Sequence, residues 1–183
     1  FDQARHQIQI YALPDVISAL KTHIFNWTVW PDYTQLPEDN PIIRMHSLQP
    51  GDELTLAGKH IQVLPAAHPT PTVGYLLSDQ NSSFAFTGDT GVNPQLWPVL
   101  NEKKPQLVII DVSFTDDQGE LARLSGHLTP SQLAQELTHF EHHAEIRITH
   151  LKPGNENMIV ARCHELLPEW TLDRLHHDEI IEL

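Results

Sequence analysis

The first part of the chain combines a helical pattern of apolar positions with an aromatic loop. Over residues 11–25 the apolar side chains recur at intervals of three and four, and Pro14 followed by Asp15 is typical of a first helical turn. This pattern predicts a helix over residues 11–25. Residues 26–33, with two tryptophans and one tyrosine, predict a loop that packs over the edge of a core or forms one wall of a pocket.

From residue 42 the apolar positions alternate with polar ones, which indicates short strands separated by turns. Turn residues such as Pro50-Gly51-Asp52 and Gly58-Lys59 divide the alternating segments from one another. The pattern predicts strands at residues 42–48, 53–57, 60–66, 73–77 and 83–87.

Beyond residue 89 the pattern alternates between strands and helices. Thr129-Pro130-Ser131-Gln132 is a capping box with proline at the first helical position, and it predicts a helix to about residue 140. Further helices are predicted at residues 93–100 and 156–167, and strands at 107–111, 146–149 and 179–183. Antiparallel strands followed by strand–helix alternation predict an α/β layered domain in which helices cover sheets.

The composition is that of one globular domain. The 183 residues are 40% apolar and 7% aromatic, so we expect a single domain over residues 1–183. No apolar run in the sequence approaches the roughly 20 residues that a membrane span needs. Cys163 is the only cysteine, which excludes an internal disulfide and a thiolate metal cluster. Its helical surroundings predict a small, buried hydrophobic side chain.

The charge balance restricts the substrates that the protein can attract. The net charge is −13, with 24 acidic against 11 basic residues, and no run of basic residues occurs in the sequence. Such a surface repels phosphate backbones, so a long nucleic acid is disfavoured as a substrate. A small anion held by metal ions is still compatible, because the ions supply local positive charge.

Four short segments each place a metal-binding or proton-handling side chain at the exit of a predicted strand. Neutral imidazoles bind zinc-like ions, and a carboxylate can bridge two of them, so together the four side chains predict a hydrolytic metal centre. The segments are Ala66-Ala67-His68-Pro69, Phe86-Thr87-Gly88-Asp89-Thr90-Gly91, Ser125-Gly126-His127-Leu128-Thr129-Pro130 and Ile148-Thr149-His150-Leu151-Lys152-Pro153.

Each segment taken alone also has an ordinary structural explanation. His68 could pack on Tyr75, and Asp89 could cap its own glycine turn. His127 lies two residues before a helix cap, where a loop histidine is common, although a phosphate oxygen could also bind there. The functional interpretation therefore depends on all four segments meeting in the folded chain.

The order of these segments and the residues within them resemble those of the metallo-β-lactamase superfamily, and most closely those of its class II cyclic-nucleotide phosphodiesterases. The narrower resemblance rests on Gly-His-Leu-Thr-Pro at residues 126–130 with Glu136-Leu137 behind it, on Thr-His-Leu-Lys-Pro at 149–153 and on the aromatic segment at 24–31, whereas Gly-Asp-Thr occurs throughout the superfamily. The resemblance spans roughly residues 20–155. It implies an αββα sandwich that here lacks its N-terminal part, which makes residues 1–183 a partial domain.

The resemblance also implies a reaction and a set of residue roles. His68 would complete the ligands of a first metal ion, His150 those of a second, and Asp89 would bridge both. Two divalent ions, zinc before manganese or iron, would hold a bridging hydroxide that hydrolyses a 3′,5′-cyclic nucleotide (cAMP or cGMP) to its 5′-monophosphate. His127 would stabilise the phosphoryl charge or protonate the leaving oxygen. Phe25, Trp27 and Trp30 are candidates for a wall that holds the base.

One hallmark of the family is absent from the sequence. The run His-x-His-x-Asp-His, which supplies two ligands to each metal in the family, does not occur in the 183 residues. In the family it lies upstream of the segment with which this chain begins, at Phe1 and without an initiator methionine. We therefore expect the chain to be the C-terminal two-thirds of a longer protein. Two ligands per ion are fewer than the three of catalytic zinc, which predicts weak or absent metal binding, and no activity, for this chain unless the missing segment is supplied.

Two alternatives stay open at this point. The transfer-RNA 3′-processing nucleases of the same superfamily have a similar histidine segment before a Gly-Tyr pair, here His68 to Tyr75, but the charge of −13 disfavours a long RNA. The other alternative is a metal-free, non-catalytic relative that has lost the hallmark run.

The resemblance implies a cyclic nucleotide as the small-molecule partner, with neither a nucleic acid nor a membrane. It leaves the oligomeric state open, with a homodimer among the allowed states. A single cysteine is compatible with cytoplasm and periplasm, and we expect a soluble protein, with the cytoplasm favoured.

Overall fold

The computed structural model describes residues 7–183, so Phe1 and the five residues after it lie outside the described chain. The chain divides into two compact units, one up to Gln49 and one from Pro50 to Leu183. The prediction of a single partial domain over residues 1–183 stays a prediction. Every helix within residues 7–183 is too short or too polar to form a bilayer span.

The first unit contains two parallel strands and one helix. Strand β1 (Ile8–Ala12) pairs with β2 (Ile43–Ser47), and α1 (Pro14–His23) follows β1 directly. The predicted helix over residues 11–25 is therefore shorter, and its first two residues belong to β1. The reason is local, because Pro14 occupies the start of the helix while Gln9-Ile10-Tyr11 already has the alternation of a strand.

The aromatic loop of this unit has the irregular structure that the sequence predicts. Its only regular pairing within the described residues is a bridge between Phe25 and Trp30. The Asn26 side chain accepts hydrogen bonds from the backbone N–H groups of Thr28 and Val29, which closes the turn. Trp27 and Trp30 are exposed. Their role as a wall for a base stays a prediction.

The second unit is built on a seven-stranded mixed sheet in which the strands follow chain order. The first four strands are antiparallel neighbours, and the next three are added in parallel beyond β6. The strands are β3 (Glu53–Leu56), β4 (Lys59–Pro65), β5 (Val73–Ser78), β6 (Ser83–Phe86), β7 (Leu107–Asp111), β8 (Glu145–Thr149) and β9 (Leu172–Arg174).

Four helices connect the strands of this second unit and bury their apolar faces. A short 3-10 turn, Asp116–Gln118, precedes the second of them. The helices are α2 (Leu96–Lys103), α3 (Gly119–Ser125), α4 (Pro130–Leu137) and α5 (Glu156–Leu166). The capping box at the start of α4 is confirmed, since Thr129 Oγ1 accepts from the Gln132 N–H and the Gln132 side chain accepts from the Thr129 N–H. Cys163 is fully buried, as predicted.

The predicted last strand at residues 179–183 is wrong. The last strand is β9, in which Leu172 is buried and pairs with Ile146 of β8. Ile180, by contrast, is 88% exposed, so the apolar residues near the end of the chain were not sufficient evidence for a strand there. Helix α3 was not predicted either, because residues 119–125 expose Leu121 and Leu124 and bury only Ala122.

The topology brings the candidate segments to one edge of the sheet. Strands β6, β7 and β8 are parallel and adjacent, so their carboxyl ends lie together. Strand β4 is antiparallel to β5, which is antiparallel to β6, so β4 also ends at that edge. The loops that follow β4, β6 and β8 carry His68, Asp89 and His150, and Asp111 is the last residue of β7.

Candidate metal centre

His68 follows β4 and is held through one nitrogen of its ring. Its Nδ1 lies 2.9 Å from the Thr70 hydroxyl oxygen. The Thr72 hydroxyl lies 3.3 Å from the same nitrogen. The Thr70 N–H also donates to Nδ1 at 3.3 Å, so these contacts all engage Nδ1, and within the described residues Nε2 is the ring nitrogen with no hydrogen-bond partner.

Asp89 projects from the turn that follows β6, and the preceding glycine makes this turn possible. Gly88 has a φ of +64°, and a Cβ at this position would lie 2.8 Å from the Val73 carbonyl oxygen. The Asp89 side chain is 45% exposed, and its Oδ1 lies 3.5 Å from His150 Nδ1. The turn therefore directs a solvent-accessible carboxylate at a histidine that lies 61 positions later in the chain.

His127 occupies the centre of the cluster and is buried. Gly126, with a φ of +74°, ends α3 in the left-handed conformation and places the loop against His68. The His127 ring lies between two others, with centroid distances of 5.2 Å to His68 and 4.9 Å to His150. Its Nδ1 lies 2.5 Å from Asp111 Oδ2.

Asp111 is a member of the cluster that the sequence analysis missed. It is fully buried, and its Oδ2 accepts from the Thr90 N–H at 3.2 Å as well as from His127. Its Oδ1 accepts from the Ser113 hydroxyl at 2.7 Å. A carboxylate at the end of the apolar run Leu107-Val108-Ile109-Ile110 was the available signal, since a buried charge needs partners.

His150 closes the cluster from the end of β8. Its φ of +63° is uncommon for a residue with a Cβ, and such conformations concentrate at functional sites. Its Nδ1 lies 3.0 Å from Ser113 Oγ and 3.6 Å from Asp111 Oδ2. With hydrogen on Nδ1, the ring donates to Ser113, which donates in turn to Asp111, while Nε2 lies 3.4 Å from Lys152 Nζ.

The donor atoms converge in two overlapping groups. His68, Asp89 and His127 each offer one donor atom, and these atoms lie within 4.8 Å of one another. The same holds for Asp111, His127 and His150. Imidazole and carboxylate donors are those that zinc, manganese and iron accept, so the residues present fit divalent cations. All four predicted residues meet here, while their division into metal ligands and proton donor stays a prediction.

Asp116 anchors the loop that leads from β7 to His127. Its carboxylate accepts from the Ser131 N–H at 2.8 Å and from Arg162 Nε at 2.9 Å, and so joins the starts of α3 and α4 to α5. Burial acts to raise the pKa of this carboxyl, but the hydrogen bonds from Ser131 and Arg162 outweigh it and hold the pKa below 3.8.

Glu136 anchors the loop that follows Asp89. Its buried Oε2 accepts from the Asn93 N–H and from Trp97 Nε1, both at 2.8 Å. The Asn93 side chain donates to the Pro65 carbonyl at 2.9 Å, which ties the same loop to the end of β4. Since Asn93 is engaged in this network, α2 begins at Leu96 instead of residue 93.

Comparisons with known proteins find similar sequences. A sequence model described as "Beta-lactamase superfamily domain" matches residues 2–150. A probable 3′,5′-cyclic-nucleotide phosphodiesterase of Yersinia pestis is 31% identical over 171 residues, which cover 79% of this chain and 50% of that protein. A 3′,5′-cyclic-nucleotide phosphodiesterase of Aliivibrio fischeri is 31% identical over 150 residues, which cover 72% of this chain and 45% of that protein.

A similar fold occurs among solved structures. Unliganded yeast PDE1 matches with a TM-score of 0.73 at 20% identity, over 91% of this chain and 56% of that one. At this identity the likeness shows the fold, and it confirms the α/β fold class. The chain spans about half the length of the curated relatives that it matches.

Proposed function

This chain belongs to the beta-lactamase superfamily, and we propose that it carries part of the metal centre of a phosphodiesterase for 3′,5′-cyclic nucleotides. The two curated relatives with that activity in their names, each 31% identical to this chain, support the substrate class. The net charge of −13 supports a small substrate over a long nucleic acid.

The observation that carries the proposal is the approach of Asp89 to His150. Their side chains lie 3.5 Å apart although they follow different strands. The donor atoms of Asp89, His68 and His127 also lie within 4.8 Å of one another. A carboxylate that faces histidines on both sides can bridge two cations.

We assign two divalent ions to this site, with zinc favoured by the imidazole and carboxylate donors. In this assignment His68 and His150 would each hold one ion, and Asp89 would supply a ligand to both. When bound, such ions supply positive charge for the phosphoryl oxygens and make water a stronger acid. The exposed position of Asp89 and His150 leaves the site open to a phosphodiester from solvent.

His127 is the proton donor in this proposal. The Asp111 carboxylate, 2.5 Å from Nδ1, fixes the orientation of the ring and holds hydrogen on that nitrogen. The other nitrogen, Nε2, is then the one that faces the substrate. A water oxygen forms a new bond to phosphorus in line with the 3′-oxygen and loses a proton to solvent. As the bond from phosphorus to the 3′-oxygen breaks, Nε2–H of the protonated ring transfers its proton to that oxygen, which leaves a 3′-hydroxyl and a 5′-monophosphate.

Hydrolysis by the complete encoded protein tests the proposal. We expect conversion of cAMP or cGMP to the 5′-monophosphate, loss of activity after chelation, and recovery when zinc or manganese is restored. Cleavage of precursor transfer RNA without hydrolysis of either cyclic nucleotide would favour the nuclease alternative. Absence of both activities in a metal-loaded protein would favour a non-catalytic relative.

A further inference from the structure

A cavity lies beside His68 and His127, on the side of the metal centre where Gly126 lies. Its volume is about 260 Å³. Pockets for complete small-molecule ligands span roughly 300–1,000 Å³, so this cavity fits one ring system better than a whole nucleotide. Its wall includes His68, His127, Gly126, Val92, Arg123 and Gln132.

The position of this cavity is set by the close approach of two loops. A Cβ at Gly126 would collide with Pro69 Cδ and lie 3.1 Å from His68 Cα. A Cβ at Gly91 would lie 3.3 Å from the Gly126 carbonyl carbon. Because both positions lack a side chain, the loops after β4, β6 and α3 pack backbone against backbone around the cavity.

Gln132 lines the cavity, and its amide nitrogen is the polar atom of this side chain that its helix cap leaves unused. Its Oε1 accepts from the Thr129 N–H at 2.9 Å in the capping box. This bond fixes the orientation of the amide, because the Thr129 N–H can pair with the amide oxygen of Gln132 but not with its amide nitrogen. Within residues 7–183, the amide nitrogen of Gln132 donates to no protein acceptor, so its two N–H groups are available to a ligand.

Arg123 adds a second donor. Its Nε and Nη2 donate to the Glu120 carboxylate at 2.9 and 2.7 Å. In the described part of the chain Nη1 has no protein acceptor, and arginine has no acceptor atom of its own. Val92, which is 53% exposed, supplies an apolar surface on the same wall.

We infer that this cavity binds the base of the cyclic nucleotide and selects guanine over adenine. The inference rests on the proposed function. One edge of guanine presents two acceptors, O6 and N7, whereas the corresponding edge of adenine presents one acceptor and the N6 amino donor. The amide nitrogen of Gln132 and Nη1 of Arg123 are donors that pair with the two guanine acceptors. Adenine would direct its amino group at another donor and leave it unpaired.

The size of the expected preference for guanine follows from the free energies by which hydrogen bonds generally discriminate between bases. One well-formed two-point contact discriminates between bases by roughly 10- to 100-fold. We therefore expect kcat/KM for cGMP to exceed that for cAMP by about 10-fold or more. The same ordering is expected for the binding of the products, 5′-GMP before 5′-AMP, which is measured by calorimetry without turnover.

Replacement of Gln132 by glutamate separates base selection from helix capping. Gln132→Glu keeps an oxygen for the Thr129 N–H, so α4 stays capped, but it exchanges the donor for an acceptor. We expect it to lower kcat/KM for cGMP by about 10-fold or more and to reverse the order of the two substrates. Gln135→Glu is the matched control, because Gln135 is exposed on the same helix and lines no part of the cavity.

A second variant removes the other donor without touching the cap. Arg123→Met should lower kcat/KM for cGMP more than for cAMP and reduce binding of 5′-GMP more than that of 5′-AMP. Equal values for the two substrates in the wild type, or equal losses in Gln132→Glu and Arg123→Met, would overturn guanine selection while the phosphodiesterase proposal stands. Failure to hydrolyse either cyclic nucleotide would instead overturn the proposed function and this inference with it.

Discussion

The Nδ1 atom of His127 lies 2.5 Å from Oδ2 of Asp111, and both side chains are buried. The same carboxylate accepts from the Thr90 N–H beside Asp89 and from the Ser113 hydroxyl, which contacts His150. One buried side chain therefore orients three of the four predicted site residues. The candidate site therefore depends on Asp111, although other residues form the exposed rim of the site.

This dependence predicts the effect of neutralising Asp111. Asp111→Asn replaces one carboxylate oxygen by an amide donor, so the side chain can no longer accept from His127, Thr90 and Ser113 together. We expect kcat for cyclic-nucleotide hydrolysis to fall by about 10²-fold or more. Steady-state kinetics of the complete protein checks this. Asp117→Asn, at an exposed position nearby, should leave kcat unchanged, and an unchanged kcat in Asp111→Asn would refute the role.

His127 and His68 should respond differently when each is removed. His127→Ala should lower turnover by about 10²–10⁴-fold while most of the bound metal is retained, because the role proposed for His127 is proton transfer. His68→Ala should lower both turnover and metal content. Elemental analysis alongside kinetics separates the two, with the exposed His177→Ala as control. Parallel loss of turnover and metal in His127→Ala would make His127 a ligand.

A methyl group at Gly126 should disturb the site. Gly126→Ala combines a φ of +74° with a collision at Pro69, so we expect unfolding free energy to fall by about 1–3 kcal/mol and turnover to fall with it. Chemical denaturation measures the first effect.

Gly119 offers the matched control for this substitution. It has a helical φ of −56° and nothing within 4 Å of an added Cβ. Gly119→Ala should therefore leave turnover unchanged and raise stability by about 0.4–1 kcal/mol. Equal destabilisation by the two substitutions would contradict the account of the Gly126 turn.

Several features of this arrangement could be predicted from the sequence. Local patterns marked the strand ends at His68, Asp89 and His150, and Thr129 with Gln132 marked the start of α4. Glycine turns and capping boxes are determined by residues that are close in sequence, which is why single-sequence reasoning identified them.

The missed features depend on contacts between distant segments. In the sequence, Asp111 is indistinguishable from the last residue of any buried strand. Only the structure shows that His127 and Thr90 lie beside it. Strand β9 is short, and its pairing with β8 rather than its own apolar content defines it. Glu136 lies within the helix predicted after Thr129, but only the fold brings Asn93 and Trp97 to it.

Asp116 gives the protein a contribution to stability that depends on pH. Its folded pKa lies below 3.8, so the contribution is complete above that pH and is lost as the pH falls through the folded value. Asp116→Asn should therefore lower unfolding free energy by about 1 kcal/mol at neutral pH and by progressively less in acid. Denaturation at pH values on both sides of 3.8 measures the difference.

The control for this prediction is again Asp117→Asn, which changes the same charge at an exposed neighbouring position. It should have little effect at any pH. A destabilisation by Asp116→Asn that stays constant into acid would show that packing, rather than the ionised carboxylate, makes the contribution.

The most direct measurement for the central claim is anomalous diffraction at the metal absorption edges from crystals of the complete protein. We predict two anomalous peaks at the sheet edge, one in contact with His68, the other in contact with His150, and both in contact with Asp89. Peaks at other residues, or no peak at this edge in protein that hydrolyses cyclic nucleotides, would contradict the assignment of these three side chains as metal ligands.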